Sequence, residues 1–336
     1  MIKIKLYELD KHRNETTLRP LLFAKNLFYD IGIELGTDGN CDFAFIGQAS
    51  IIDKKLSLKE SVEKGIKFLK TVKEPYFLFD GQDAASLIGV YELFNQTDPI
   101  YLFKNSLYKN KENYLLNSMN GRSYWSNGNY SLSNLDHFNK IKLSHSNWLS
   151  TIVPRWSPYD KEKQFDVCAL FGRFDKEVLE HDENQSPHYN AFRQILLDNL
   201  DNKYNTIKLT NGVRFSQTEY YNHMYNSKIL LSPFGCGEIA IRDLESIMFG
   251  SVLIKPDMSH IDTLPNVYIN NETYIACKHD FSDINEKIDY VLSDYKNIQE
   301  KLTENFRKLY KELYSPERLV MYYYNIFKNL SGITTE

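Results

Sequence analysis

The chain has 336 residues, enough for two domains of ordinary size, and with 42% hydrophobic and 25% charged residues it has the composition of a globular protein that folds in water. The net charge is −4, unevenly spread: residues 1–150 hold 19 Lys+Arg against 17 Asp+Glu, residues 151–336 hold 21 against 27, so the front half is better suited to an anion-rich partner. No run of about 18 apolar residues is present to span a membrane. The N-terminal MIKIKLYELDKHRN lacks the apolar core of a signal peptide. The four cysteines, Cys41, Cys168, Cys236 and Cys277, have neither zinc-ligand spacing nor the density of a disulfide scaffold. These features predict a cytoplasmic protein.

In chain order, IKIKLYEL (2–9) predicts a strand, 17–29 a helix, and DFAFIGQA (42–49) a second strand ending at Gly47 and Gln48. SLKESVEKGIKFLKTV (57–72) has helical apolar spacing with Ser57 as N-cap. PYFLFD (75–80) predicts a third strand, AASLIGVYELF (84–94) a helix and PIYLFK (99–104) a fourth strand. Asn/Ser-rich loops or a hairpin follow to about 150, and VPRWSPYDKEK (153–163) is the natural linker. A second alternation begins at FDVCALFGRF (165–174), with a helix at 190–200, a strand NTIKLT, a helix QTEYYNHMYNSK (217–228) and a strand ILLSPF. A helix from Glu238 to Gly250, a strand SVLIKP, one or two strands in VYINNETYIAC, a helical stretch at 283–313 and a last helix from Glu317 complete the chain. Strands alternating with helices predict parallel sheets covered on both faces.

Chemistry concentrates in SPFGCGEIAIRDLESIMFGSVLIKP (232–256). Gly235 and Gly237 lie in a strand-end loop, where open α/β sheets bind ligands and where glycine lets backbone approach one closely. The helix after it offers free N–H groups and a positive dipole end, which suit a phosphate. In that helix Glu238, Arg242 and Glu245 fall at i, i+4 and i+7 on one stripe, opposite Ala240, Leu244, Ile247 and Met248. A carboxylate accepts two hydroxyls at once, the chemistry of gripping a ribose or hexose. The plainer alternative is a dipole-complementing Glu238 in an i,i+4 surface pair with Arg242, worth about 0.2–0.5 kcal/mol.

The segment SPFGCGEIAIRDLESIMFGSVLIKPDMSH resembles the donor-sugar motif of glycosyltransferases built from two facing Rossmann-like domains, the GT-B architecture, and in particular a bacterial and viral group with an SPFGxGEIxxRDxE motif. The resemblance is close over about 30 residues and loose over the two-domain plan. It implies that Glu245 binds the nucleotide ribose, that Glu238 meets the donor sugar or its phosphate, with Glu238 also a catalytic candidate, and that Arg242 helps with the diphosphate. In FGRFDK (171–176), Arg173 and Lys176 match the cations that meet the diphosphate, where charge builds up in the transition state. Lys255 and His260, in KPDMSH, are further candidates to face the cleft. Glu238 and Glu245 are seven positions apart, one fewer than in the common retaining pattern, so inverting and retaining transfer both stay open.

The front half would then carry the acceptor. Asp80 and Asp83, in FDGQDAAS, are the candidate general bases for an inverting reaction, Asp83 being an N-cap candidate as well. Gln48 is a hydroxyl-binding amide at the neighbouring strand end. Residues 101–125 interleave Lys104, Lys109, Lys111 and Arg122 with Tyr101, Phe103, Tyr108, Tyr114, Tyr124 and Trp125, a mixture that suits nucleic acid, sugar rings or a half-buried loop. The expectation is thus a two-domain glycosyltransferase: residues 1–152 for the acceptor, 165–315 for the nucleotide sugar, and 316–336 as a helix returning to the first domain. The partners expected are a nucleotide sugar and a glycan acceptor, with hydroxymethylated DNA as the alternative acceptor and a non-catalytic nucleotide or sugar binder as the alternative function. No metal and no cofactor beyond the donor substrate is expected, since Arg, Lys and a helix N-terminus hold a diphosphate and no DxD-type motif stands at a strand end.

Overall fold

The computed structural model describes residues 1–7, 18–36, 39–47, 56–82, 84–116, 131–146, 162–171, 187–208, 215–235, 237–313 and 315–331, without the side chains of 187–190 and 331. Asp83, Gln48, Arg122, Tyr124, Trp125, Arg173, Lys176 and Cys236 therefore lie outside the described residues.

The first half opens with β1 (Ile2–Tyr7), α1 (Arg19–Phe23), α2 (Lys25–Asp30), β2 (Ile33–Leu35) and β3 (Phe43–Gly47). The single helix expected at 17–29 is thus two short ones, divided at Ala24. Then come α3 (Leu58–Leu69), β4 (Tyr76–Asp80), α4 (Val90–Asn95), β5 (Leu102–Lys104), β6 (Ser106–Tyr108) and β7 (Ile141–Leu143). Ser57 does cap α3: its hydroxyl accepts from the Glu60 amide while the Glu60 carboxylate accepts from the Ser57 amide. The helix expected over 84–94 starts only at Val90, because Gly89 has φ 79°, a left-handed value that a continuing helix does not allow.

The second half contains β8 (Phe165–Ala169), α5 (Pro187–Asn199), β9 (Thr206–Lys208), α6 (Gln217–Tyr225), β10 (Ser227–Leu231), α7 (Ile241–Met248), β11 (Val252–Pro256), β12 (Ile261–Thr263) and β13 (Ile275–Cys277). Three helices follow: α8 (Ile284–Ser293), α9 (Tyr295–Leu313) and α10 (Pro316–Ser331).

Two parallel sheets result, ordered β2-β1-β3-β4-β5-β7 and β13-β11-β10-β8-β9. Read from its other edge, the second repeats the first: the second strand lies outside the first, and the third on its other side. The chain reverses direction between β8 and β10, and in such sheets the crevice beyond the carboxyl ends at that point receives ligands. An antiparallel ribbon of β6 with β12 ties the halves together. One apolar cluster also spans them, uniting Leu78, Leu102 and Tyr108 with Phe234, Ile261 and Tyr268. α10 returns to the first sheet, where Leu319, Val320, Tyr323 and Phe327 pack with Phe45, Phe77, Phe79 and Phe103.

Candidate functional site

The segments that meet at the β8/β10 reversal are Leu170 and Phe171 after β8, the loop from Ser232 after β10, and α7. Sequence periodicity put Glu238 on the helix. In the structure the helix starts at Ile241 with Ala240 as its N-cap, so Glu238 precedes it and does not share a helical stripe with Arg242 and Glu245. The cause is Asp243, which closes the first turn by accepting from the Ala240 amide at 3.2 Å.

Glu245 is buried on α7 and accepts a hydrogen bond from the Tyr220 hydroxyl of α6 at 3.0 Å. Burial raises its pKa above the ordinary glutamate value, while the Tyr220 bond and the charge of Arg242 work the other way. Burial likewise pushes the Tyr220 hydroxyl well up, so it stays protonated and donating. Arg242 is half-buried and donates from Nη2 to the Leu170 carbonyl at 3.0 Å. Among the described residues its Nε has no hydrogen-bond partner. Burial works against its charge, and the facing Tyr220 and Glu245 more than restore it. A fixed guanidinium and a carboxylate thus stand together beside the end of β8.

Glu238 is 1% exposed and reaches across to the first half, its Oε2 accepting from the Ala85 amide at 2.8 Å. The Ala85 carbonyl in turn accepts from the Tyr114 hydroxyl at 3.0 Å, and that oxygen accepts from the Tyr108 amide. Gly235 donates its amide to the Gly237 carbonyl at 3.0 Å, closing the loop on itself. Lys255, expected to face the cleft, is instead wholly enclosed: its Nζ donates to the Glu238 carbonyl at 2.7 Å and to Asp243 Oδ2 at 2.5 Å. Burial lowers its pKa, with Asp243 opposing. His260 is half-buried near His279, their ring centroids 5.2 Å apart.

On the facing side, Asp80 ends β4 with its side chain fully buried, Oδ1 accepting from the Gln82 amide at 2.9 Å and Oδ2 3.5 Å from Lys104 Nζ. Lys104, expected to meet an acceptor, is 0% exposed and donates to the Gln82 carbonyl at 2.9 Å. Phe103, Tyr108 and Tyr114 are also inside, so of this aromatic–basic stretch Lys109 and Lys111 present exposed cations while those three rings form core. The structure therefore sets Arg242 and Glu245 together on α7 beside the end of β8, turns Glu238 toward the first half, and leaves Asp80 and Lys104 as an interior pair.

Sequence reasoning missed Tyr220, Ala85, Ser232, Asp243 and Tyr268. Asp243 carried a usable signal: it falls on the same stripe as Ala240 and Ile247, and a charged residue on the sheet-facing side of a helix requires a buried partner. Lys255, within an apolar strand, is that partner.

No family model matches the sequence, and no curated protein matches it. Solved structures do. HepE (Alr3699) from Anabaena, crystallised in complex with UDP, aligns over 99% of this chain and 100% of its own at 10% identity, with a TM-score of 0.50. HepE with UDP and glucose aligns over the same shares at 11% identity and a TM-score of 0.50. Sucrose-phosphate synthase from Thermosynechococcus elongatus aligns over 97% of this chain and 81% of its own at 13% identity, with a TM-score of 0.48.

The fold is GT-B.

Two Rossmann-like sheets face one another, joined by the β6–β12 ribbon and followed by a helical tail. In that frame, Arg242 and Glu245, on α7, belong with the second Rossmann-like sheet, and Asp80 with the first. No described helix is long and apolar enough to cross a membrane, and no described cluster of His, Cys, Asp and Glu could hold a metal ion.

Proposed function

We propose that the chain is a glycosyltransferase that moves a sugar from a nucleotide donor, of the uridine diphosphate class, to an acceptor hydroxyl. The observation that carries this is the pair of Arg242 and Glu245 at the strand reversal of the second sheet, with Glu245 oriented by Tyr220. A buried carboxylate held by one donor keeps acceptor capacity for the two hydroxyls of a ribose. A guanidinium beside it, together with Arg173 and Lys176, would stabilise the diphosphate as it leaves. Likeness in fold to HepE, which was crystallised with UDP, supports taking uridine nucleotides first.

In this assignment Glu238 meets the donor sugar, and Gly235 and Gly237 let the loop backbone approach it. Residues 1–152 hold the acceptor, 165–315 the donor, and 316–336 return to the first domain. On the acceptor side Gln48, Lys109, Arg122 and Trp125 are contact candidates, and Asp83 and Asp80 are the candidate bases. Asp80 serves only if its pair with Lys104 opens on acceptor binding. A glycan is the proposed acceptor; no specific observation favours DNA.

Thermal-shift measurement with UDP, UDP-sugars and other nucleotides tests the donor assignment. At about 100 times its dissociation constant a bound ligand adds about 2.7 kcal/mol of stability. The expected result is a shift selective for one nucleotide class that disappears in a folded Glu245→Ala variant. No shift with any nucleotide would overturn the assignment and leave Arg242 and Glu245 as a structural pair.

A further inference from the structure

The segment Glu238–Ala240 lies between a glycine loop and the first turn of α7, outside any strand or helix. Its shape is nonetheless fixed at both ends by one buried ion pair. Lys255 Nζ donates to the Glu238 carbonyl at 2.7 Å, and the Ala240 amide donates to Asp243 Oδ2 at 3.2 Å. That same Oδ2 accepts from Lys255 at 2.5 Å and from the Tyr268 hydroxyl at 2.7 Å, while Oδ1 accepts from the Ser232 hydroxyl at 2.6 Å. The Lys255 ammonium also lies over the rings of Phe234, at 5.5 Å, and Tyr268, at 4.7 Å. It therefore touches the glycine loop on both sides, Phe234 before Gly235 and Glu238 after Gly237.

Stability alone is a poor reason for such a pair. Both side chains are 0% exposed, and well-packed apolar residues in place of a buried ion pair are often neutral or stabilising. No apolar side chain can hold the Glu238 carbonyl. With the backbone held there, the Glu238 carboxylate points at the Ala85 amide of the other half, 2.8 Å away.

We propose that Lys255, fixed by Asp243 and Tyr268, is a positioning residue that sets the direction of the Glu238 carboxylate and so governs the grip on the donor's sugar rather than on its nucleotide. This rests on the assignment of Glu238 to the donor sugar made above.

The test compares the full chain with Lys255→Met/Asp243→Asn, which leaves neither charge stranded, and with Tyr268→Phe, which removes one hydroxyl and keeps the ring. The probes are UDP, UDP-glucose, UDP-galactose and UDP-N-acetylglucosamine, with dissociation constants measured by calorimetry. In the double variant UDP affinity stays within about threefold, while the preferred UDP-sugar weakens by about tenfold more than UDP, the size of one lost charged hydrogen bond. Tyr268→Phe moves the same ratio in the same direction by a smaller factor. A ratio unchanged in both variants, or equal weakening of UDP and UDP-sugar, overturns the proposal, since a merely structural pair would affect both ligands alike. If the double variant does not fold, Tyr268→Phe decides alone. A wild type that binds UDP but gains nothing from any of these sugars also overturns it. A wild type that binds no nucleotide overturns the donor assignment itself, and this is seen before any variant is compared.

Discussion

Asp80 and Lys104 come from neighbouring strands and are both sealed from solvent, 3.5 Å apart. Removing one charge strands the other, so Asp80→Asn is expected to cost on the order of 3–5 kcal/mol in urea unfolding, and Asp80→Leu/Lys104→Met to recover much of it. A loss under about 1 kcal/mol for the single variant would mean that the pair is less enclosed than its geometry. Asp243 and Lys255 repeat the pattern in the other half. What sequence could say about these residues was limited in a definite way. Spacing along one helix drew attention to Arg242 and Glu245, which do stand near one another. It could not supply Tyr220, because that partner comes from α6 and no local periodicity links the two helices. It misplaced Glu238, because an i,i+4,i+7 count presumes that the helix has already begun.

At the level of elements, α7 shows how a short helix is held in a loaded position. Its first turn is closed by Asp243. At its far end the last carbonyls find donors from three directions: Arg307 of α9 bonds the Ile247 carbonyl at 3.0 Å, Lys163 bonds that of Phe249 at 2.7 Å, and Gln299 that of Gly250. Lys163 also bonds the Tyr225 carbonyl at the end of α6 at 2.6 Å, so one ammonium caps the two helices that carry Glu245 and Tyr220. Cations suit helix C-termini, and hydrogen bonds from charged groups contribute more than neutral ones. Lys163→Met is therefore expected to lower stability by about 2 kcal/mol in urea titration and to weaken nucleotide binding through the loosened α6–α7 contact. Unchanged stability would show that water replaces the ammonium at no cost. Elements with local signals were legible: the α3 capping box, and the apolar strands β4, β8, β10 and β11. Of the three-residue strands, β5, β9 and β13 lay inside longer segments that the sequence marked as strands, whereas β2, β6, β7 and β12 were not legible. Three positions are too few to display a period of two, and their pairing depends on partners far along the chain.

For the molecule as a whole, the seam between the halves is the organising feature. The β6–β12 ribbon, the shared apolar cluster and the Glu238–Ala85 bond all cross it. So does the bridge between His145 and Leu264, with the rings of Tyr322 and Tyr323 from α10 against His145. Burial holds the His145 pKa down at about 4, against 6.5 unperturbed. The unfolded chain gains this proton as pH falls below about 6.5 and the folded chain only near 4, so stability present above 6.5 is lost across that interval. The loss amounts to about 3 kcal/mol. His145→Gln is expected to flatten the acid limb of a stability–pH curve between those values; an unaltered limb would assign it to other groups. The tail gives a last consequence. Phe45, Phe77, Phe79 and Phe103 of the first sheet are covered by Leu319, Val320, Tyr323 and Phe327, residues more than 200 positions downstream. On the ribosome, the part of this aromatic floor that α10 covers, and that Leu21 and Phe28 of the first half do not, waits while the whole second half is translated. The half of the protein that is synthesised first is thus the last to be finished, and its uncovered apolar surface is open to misassociation during that wait.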